Sequence, residues 1–238
     1  MSQRLKLKEK AEDYPHQLLL SATPIPRTMA MGVLSGLDIS TIKSLPPNRT
    51  PIITTTLPNN RREALINRIK SAINKNSQVY WVCPLIDESE SELIGIEDLE
   101  KILKKEFDSQ DYEIIHGKMK DMDKQKILSD FKEKKTKILL ATTVIEVGID
   151  VPDANIMVIE NSERFGLAQL HQLRGRVGRG EKESFCILMH NDSLTELPEK
   201  RLQIITETND GFVIAEEDLK LRGPGDCLLY TSDAADDL

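Results

Sequence analysis

From about residue 78 onward, short apolar runs alternate with amphipathic segments at a spacing of roughly 20 to 35 residues. The runs QVYWVCPLI (78–86), YEIIHG (112–117), KILLATT (137–143), NIMVIEN (155–161) and SFCILMH (184–190) are rich in β-branched residues and predict buried strands. Between the first two, ELIGIEDLEKILKKEF puts Leu99, Ile102 and Leu103 on one helical face. After the second, DMDKQKILSDFKEKK opens on Asp121 as a candidate cap and turns Ile127, Leu128 and Phe131 inward. Further upstream, NNRREALINRIKSAINKN lines up Leu65, Ile66, Ile69, Ala72 and Ile73. Strand, helix and strand repeated in this order predict an α/β fold, a parallel sheet flanked by helices on both faces. Ligands of such sheets sit at the carboxyl ends of the strands, so the loops that follow the runs are the expected sites.

The first 45 residues follow a different pattern. HQLLLSATPIPRTMAMGVLSG reads as a strand, a proline-punctuated loop and a short helix. DISTIKSLPPNRTPI reads as a strand entering a proline-rich connector, which places a domain boundary at Pro46–Pro51. Residues 1–45 are too few for a core of their own and read as the end of a domain that begins upstream. Residues 227–238, CLLYTSDAADDL, carry no periodicity and an acidic end, and are expected to be a disordered or non-native tail.

Composition narrows the chemistry. With 39% hydrophobic residues in 238, the chain can build real cores. A net charge of −7 excludes bulk electrostatic binding of nucleic acid, so phosphate contacts must come from local clusters. Aromatic residues at 4% are too sparse for base-stacking platforms. Cys83, Cys186 and Cys227 show no zinc spacing, and Cys83 and Cys186 sit in apolar runs that predict the core; no metal site is expected. No stretch reaches the roughly 18 apolar residues of a membrane span, and the charged start MSQRLKLKEKAEDYP is unlike a signal peptide. A cytoplasmic protein is expected.

One local cluster stands out. QLHQLRGRVGRG packs three arginines and three glycines into the seven residues from Arg174 to Gly180. Arginine keeps its charge and offers a rigid fork of donors to phosphate oxygens. Glycines at 175, 178 and 180 let the backbone turn sharply. The preceding GLAQLHQL reads as a helix anchored by Leu167, Leu170 and Leu173, from whose end Arg176 and Arg179 would project. That geometry suits arginine fingers on a transferring phosphate; the plainer alternative is a solvated basic turn.

LRGRVGR resembles the last motif of the superfamily 2 helicases. SATPIPRT (21–28), the strand at 79–83 and ATTVIEVGIDVPDA (141–154) resemble other motifs of that superfamily in the right order. LPPNRTPI, YWVCPLIDESE, IIHGKMK, ERFGLAQLHQLRGRVGRG and NDGFVIAEEDLKLRGPGD are similar to the RecG family, ATP-dependent helicases that remodel branched DNA. The likeness runs from about residue 3 to 226. The transcription-repair coupling translocases share part of it, and a non-catalytic α/β module gripping anions is the alternative from another class.

The resemblance implies that residues 46–192 are the second RecA-like motor domain, 1–45 the end of the first, and 193–226 a helical hairpin that turns hydrolysis into translocation. It implies arginine fingers at Arg176 and Arg179, and nucleotide-side roles for Gly148, Asp150 and Gln172. Ser21, Thr23, Thr142 and Thr143 would couple to a DNA strand, with Thr142 and Thr143 equally open to a structural reading at a strand end. Arg201 and Arg222 match the arginines of the hairpin; they could be braced by Glu207, Glu216 or Glu217, or reach the helix at 166–174. ATP and Mg2+ are the implied cofactors and branched or double-stranded DNA the implied partner, for a monomeric protein. No GxxxxGK[ST] loop occurs in the sequence, so the nucleotide would be held mainly by a first motor domain of which this chain carries the end, and the fragment alone is expected to be inactive.

Overall fold

The computed structural model describes residues 50–84, 95–142, 151, 153–180 and 182–222, with isolated positions at 18, 20, 40 and 42. The strand, loop and helix expected at 16–36, most of the connector up to Pro51 and the tail at 227–238 lie outside the described residues.

Strands β1 (Ile53–Pro58), β2 (Gln78–Cys83), β3 (Tyr112–Ile115), β4 (Ile138–Thr142), β5 (Ala154–Ile159) and β6 (Phe185–His190) form one sheet in the order β1-β6-β5-β2-β4-β3. Every pairing is parallel. Helices α1 (Arg62–Ile73) and α2 (Ile96–Glu106) cover one face, and α3 (Asp121–Lys132), α4 (Leu167–Arg174), α5 (Glu196–Glu207) and α6 (Gly211–Arg222) cover the other. The arrangement is the helix-flanked parallel α/β sheet that the sequence predicts.

The central strands are buried on both faces, as near-continuous apolar runs require. In β2, Val79, Trp81 and Cys83 join Leu65, Ile69, Leu99 and Leu103 under α1 and α2. Tyr80 and Val82 face Leu128, Phe131, Leu167 and Leu170 on the opposite side. Cys83 and Cys186 are buried, and burial pushes both thiols up to about 12, so they are inert core groups as their apolar runs predict.

Two expectations need correction. Asp121 is not the cap of its helix; it is the first helical residue, with Lys120 at the cap position, and its carboxylate sits in the first turn beside Lys124. Strand β1 went unread because ITTTLP is an edge strand with several exposed side chains, and its threonines break the apolar run that marks its neighbours. Among the described residues no helix is long and apolar enough to cross a membrane.

Candidate functional site

The arginine-glycine loop is built on α4, whose Leu167 and Leu170 are fully buried and whose Leu173 packs against the same core. The helix closes with Gly175 N–H donating to His171 O at 3.0 Å and Arg176 N–H to Leu173 O at 3.0 Å. Val177 then turns back into the core with no exposure. Gly178 follows at φ +77°, where a Cβ would stand 2.9 Å from Ile52 Cγ1. With Val177 inward and Gly178 tight, Arg176 is left half-buried and Arg179 exposed on either side. Two guanidinium groups thus follow an apolar anchor on a short turn. Gln172 lies one turn earlier, exposed on the same helix.

This loop is not where the general rule for parallel sheets pointed. It leads into β6, and Gly178 packs between Ile52 and Ser184, the residues just before β1 and β6. It therefore lies at the amino edge of the sheet. Thr142, by contrast, ends β4 at the carboxyl edge, 4% exposed, with its hydroxyl lacking a hydrogen-bond partner. Arg176, Arg179 and Gln172 share the end of α4 and the turn after it, while Thr142 lies at the opposite edge of the sheet. Ser21, Thr23, Thr143, Gly148 and Asp150 lie outside the described residues.

The third arginine of the cluster has a different place. Arg174 is 2% exposed and donates to Ile205 O at 2.6 Å and Thr208 O at 2.9 Å, clamping α4 to the end of α5. It also donates to His171 Nδ1 at 2.9 Å, because a guanidinium has no acceptor, so the imidazole proton sits on Nε2. Burial first, and Arg174 second, lower His171 from 6.5 to about 4. Only the position of Arg174 at the last turn of an apolar-faced helix hinted at this inward role.

The hairpin is fastened to the same region. Leu202 and Ile205 of α5 and Ile214 of α6 belong to the core beneath α4. Asp210 accepts from Phe212 N–H at 2.8 Å and starts α6. None of the acids considered for Arg201 (Glu207, Glu216 or Glu217) is its partner among the described residues. Its guanidinium donates to Phe165 O at 3.0 Å and Glu163 O at 2.9 Å, on the segment entering α4. The Glu163 carboxylate beside it is buried without a hydrogen-bond partner, a feature the sequence does not announce. Arg222 is the last residue of α6.

At the carboxyl edge, Glu160 is fully buried. Arg62 binds it through both guanidinium nitrogens, one at 2.8 Å, and the Trp81 indole N–H donates to it at 2.9 Å. The sequence placed Glu160 in the strand run NIMVIEN but gave it no partner, because Arg62 and Trp81 lie 98 and 79 residues away and leave no mark in a local pattern. Among the described residues no group of three His, Cys, Asp or Glu could hold a metal ion.

Comparison with known proteins gives these features a setting. The helicase conserved C-terminal domain family matches residues 52–181. The chain is 52% identical over 231 residues to the ATP-dependent DNA helicase RecG of Pasteurella multocida (strain Pm70), covering 95% of this chain and 33% of that protein. Against the RecG of Escherichia coli (strain K12) the identity is 49% over 231 residues, with the same coverage. A solved structure of RecG bound to a three-way DNA junction is 41% identical with a TM-score of 0.72, covering 91% of this chain and 30% of that one. The chain spans about a third of the length of the curated relatives it matches.

Proposed function

The chain belongs to the helicase conserved C-terminal domain family, and on that premise we propose that it is the motor-domain portion of a RecG-like ATP-dependent helicase that remodels branched DNA. In this reading residues 46–192 are the second motor domain, 1–45 the end of the first, 193–226 the translocation hairpin and 227–238 a non-native or disordered tail. The observation that carries it is the arginine loop: two solvent-accessible cations on a segment locked by buried Val177 and tightly packed Gly178. That donor set fits the γ-phosphate of ATP held by a first motor domain. Bound ATP supplies the phosphoryl group for hydrolysis, with Mg2+ held by acids of the first domain. Arg176 and Arg179 would neutralise charge on its oxygens, with Gln172, Gly148 and Asp150 positioning the loop. Ser21, Thr23, Thr142 and Thr143 would link that event to a DNA strand, and the Arg201 bonds would carry it to the hairpin. We place the protein in the cytoplasm, acting as a monomer on double-stranded or branched DNA.

The test uses the isolated chain and the intact parent protein. The 238-residue chain should hydrolyse no ATP above background with or without DNA, since it carries no phosphate loop. In the parent, Arg176→Ala or Arg179→Ala should lower DNA-stimulated hydrolysis by about 10³-fold while nucleotide still binds. Near-normal turnover in both variants would reduce the loop to a basic turn.

A further inference from the structure

Arg174 heads the same cluster as Arg176 and Arg179 but turns away from them. Its Nη1 donates to Ile205 O at 2.6 Å and Thr208 O at 2.9 Å, and lies 3.4 Å from Thr54 Oγ1. Its Nη2 donates to His171 Nδ1 at 2.9 Å, one turn back on α4. One guanidinium thus joins the last turn of α4 to the end of α5 and to the edge strand β1. At 2% exposure, with its terminal nitrogens committed inside the fold, it is not a third phosphate ligand.

The backbone of the same residue reaches the loop. Arg174 O accepts from Val177 N–H at 3.3 Å, and Val177 lies in the cluster that holds Ile205. Arg176 stands between these two fixed residues. Arg179 follows Gly178, whose close approach to Ile52 sets the exit of the turn. Where the turn sits is therefore decided by where Arg174 is held, and backbone carbonyls at the end of α5 hold it.

We propose that Arg174 is a positioning residue, which touches no nucleotide but aims Arg176 and Arg179 by hanging their turn on the carbonyls of α5. Packing alone does not call for a cation at this depth. A guanidinium adds fixed directions, because its planar fork binds several acceptors at set angles. Lysine, a point charge on a flexible stem, does not serve the two carbonyls and the imidazole together.

The proposal rests on reading Arg176 and Arg179 as phosphate ligands, and the experiment separates the two. DNA-stimulated hydrolysis by the intact parent is measured per nucleotide-binding site. Arg174→Lys is expected to lower kcat by about 10²-fold, the loss that a misplacement of about 1 Å can cause, with KM for ATP within about twofold. Added to Arg176→Ala/Arg179→Ala, with residual hydrolysis followed by radiolabelled ATP, it should cost less than about threefold more, since nothing is left to aim. Losses that multiply, or a near-normal kcat in Arg174→Lys beside an inactive Arg176→Ala, would make Arg174 a packing residue. Near-normal turnover in Arg176→Ala would instead overturn the phosphate reading.

A second measurement needs no variant. In the 238-residue chain, the Arg176 amide should exchange with solvent together with that of Thr208, whose N–H donates to Ile204 O at 3.2 Å, as one opening unit. Fast exchange at Arg176 beside a protected Thr208 overturns the proposal, whether or not Arg174→Lys folds.

Discussion

Gly178 shows how much of the candidate site is decided by single positions. Its left-handed φ and the 2.9 Å approach to Ile52 leave no room for a side chain. Gly178→Ala should therefore cost about 1–3 kcal/mol of unfolding free energy in denaturant titration; a loss within error would mean that the loop relaxes. Arg176 and Arg179 stand out in the sequence as the pair proposed for a phosphate because charge, glycine spacing and an apolar anchor coincide in one stretch. Arg174 has the same chemistry, yet it is buried on the carbonyls of Ile205 and Thr208, and only the tertiary packing of α5 distinguishes it. Its neighbour His171 gives a pH signature. The folded pKa of about 4 lies below the ordinary 6.5, so in that window the unfolded chain binds the extra proton. The contribution is complete above about pH 6.5 and is lost as the pH falls toward 4. His171→Gln should flatten the fall of unfolding free energy across that window; equal slopes in the two proteins would show that the imidazole does not titrate as described.

At the scale of elements, β2, β4 and β5 were legible as uninterrupted runs buried on both faces, and β3 and β6 as shorter apolar runs even though β3 lies at the sheet edge. β1 escaped because an edge strand can keep threonines, and its place is fixed by pairing with β6, 132 residues away between Ile53 and Phe185. The hairpin was legible as two helices, but its attachment was not: Arg201 binds backbone carbonyls, and carbonyls leave no mark in a side-chain pattern. Those two bonds tie α5 to the segment entering α4, the helix that carries the arginine loop. A hairpin that transmits motion needs its far arm as well, which ends at Arg222. In the intact parent protein, Arg222→Ala should leave DNA-stimulated hydrolysis within about twofold and abolish unwinding of a branched substrate, as expected when a transmitting group is lost and the phosphate site is intact. Parallel loss of both activities together with thermal stability would make the arginine a packing residue.

Among the described residues two cores lie on one sheet, and the hairpin joins one of them. The family resemblance implied a boundary at residue 192, between the second motor domain and the hairpin. In three dimensions Leu202, Ile205 and Ile214 lie in the same cluster as Leu139, Leu167 and Leu188, so the helices beyond that point complete the cover of the sheet. The sheet couples this cluster to the other face, where the single tryptophan, Trp81, is fully buried and hydrogen-bonded to Glu160. Because β2 contributes Tyr80 and Val82 to one core and Trp81 to the other, neither core can dissolve without exposing the strand they share. Chemical unfolding followed by Trp81 fluorescence should therefore coincide with the loss of helical circular dichroism in one transition. Ile205→Ala, which removes buried apolar volume on the hairpin side, should destabilise the chain by about 2–5 kcal/mol and shift both signals together, although Trp81 lies across the sheet. If the dichroism instead fell in an earlier step while Trp81 emission held, residues 193–222 would be an independent unit and the boundary at 192 an energetic one.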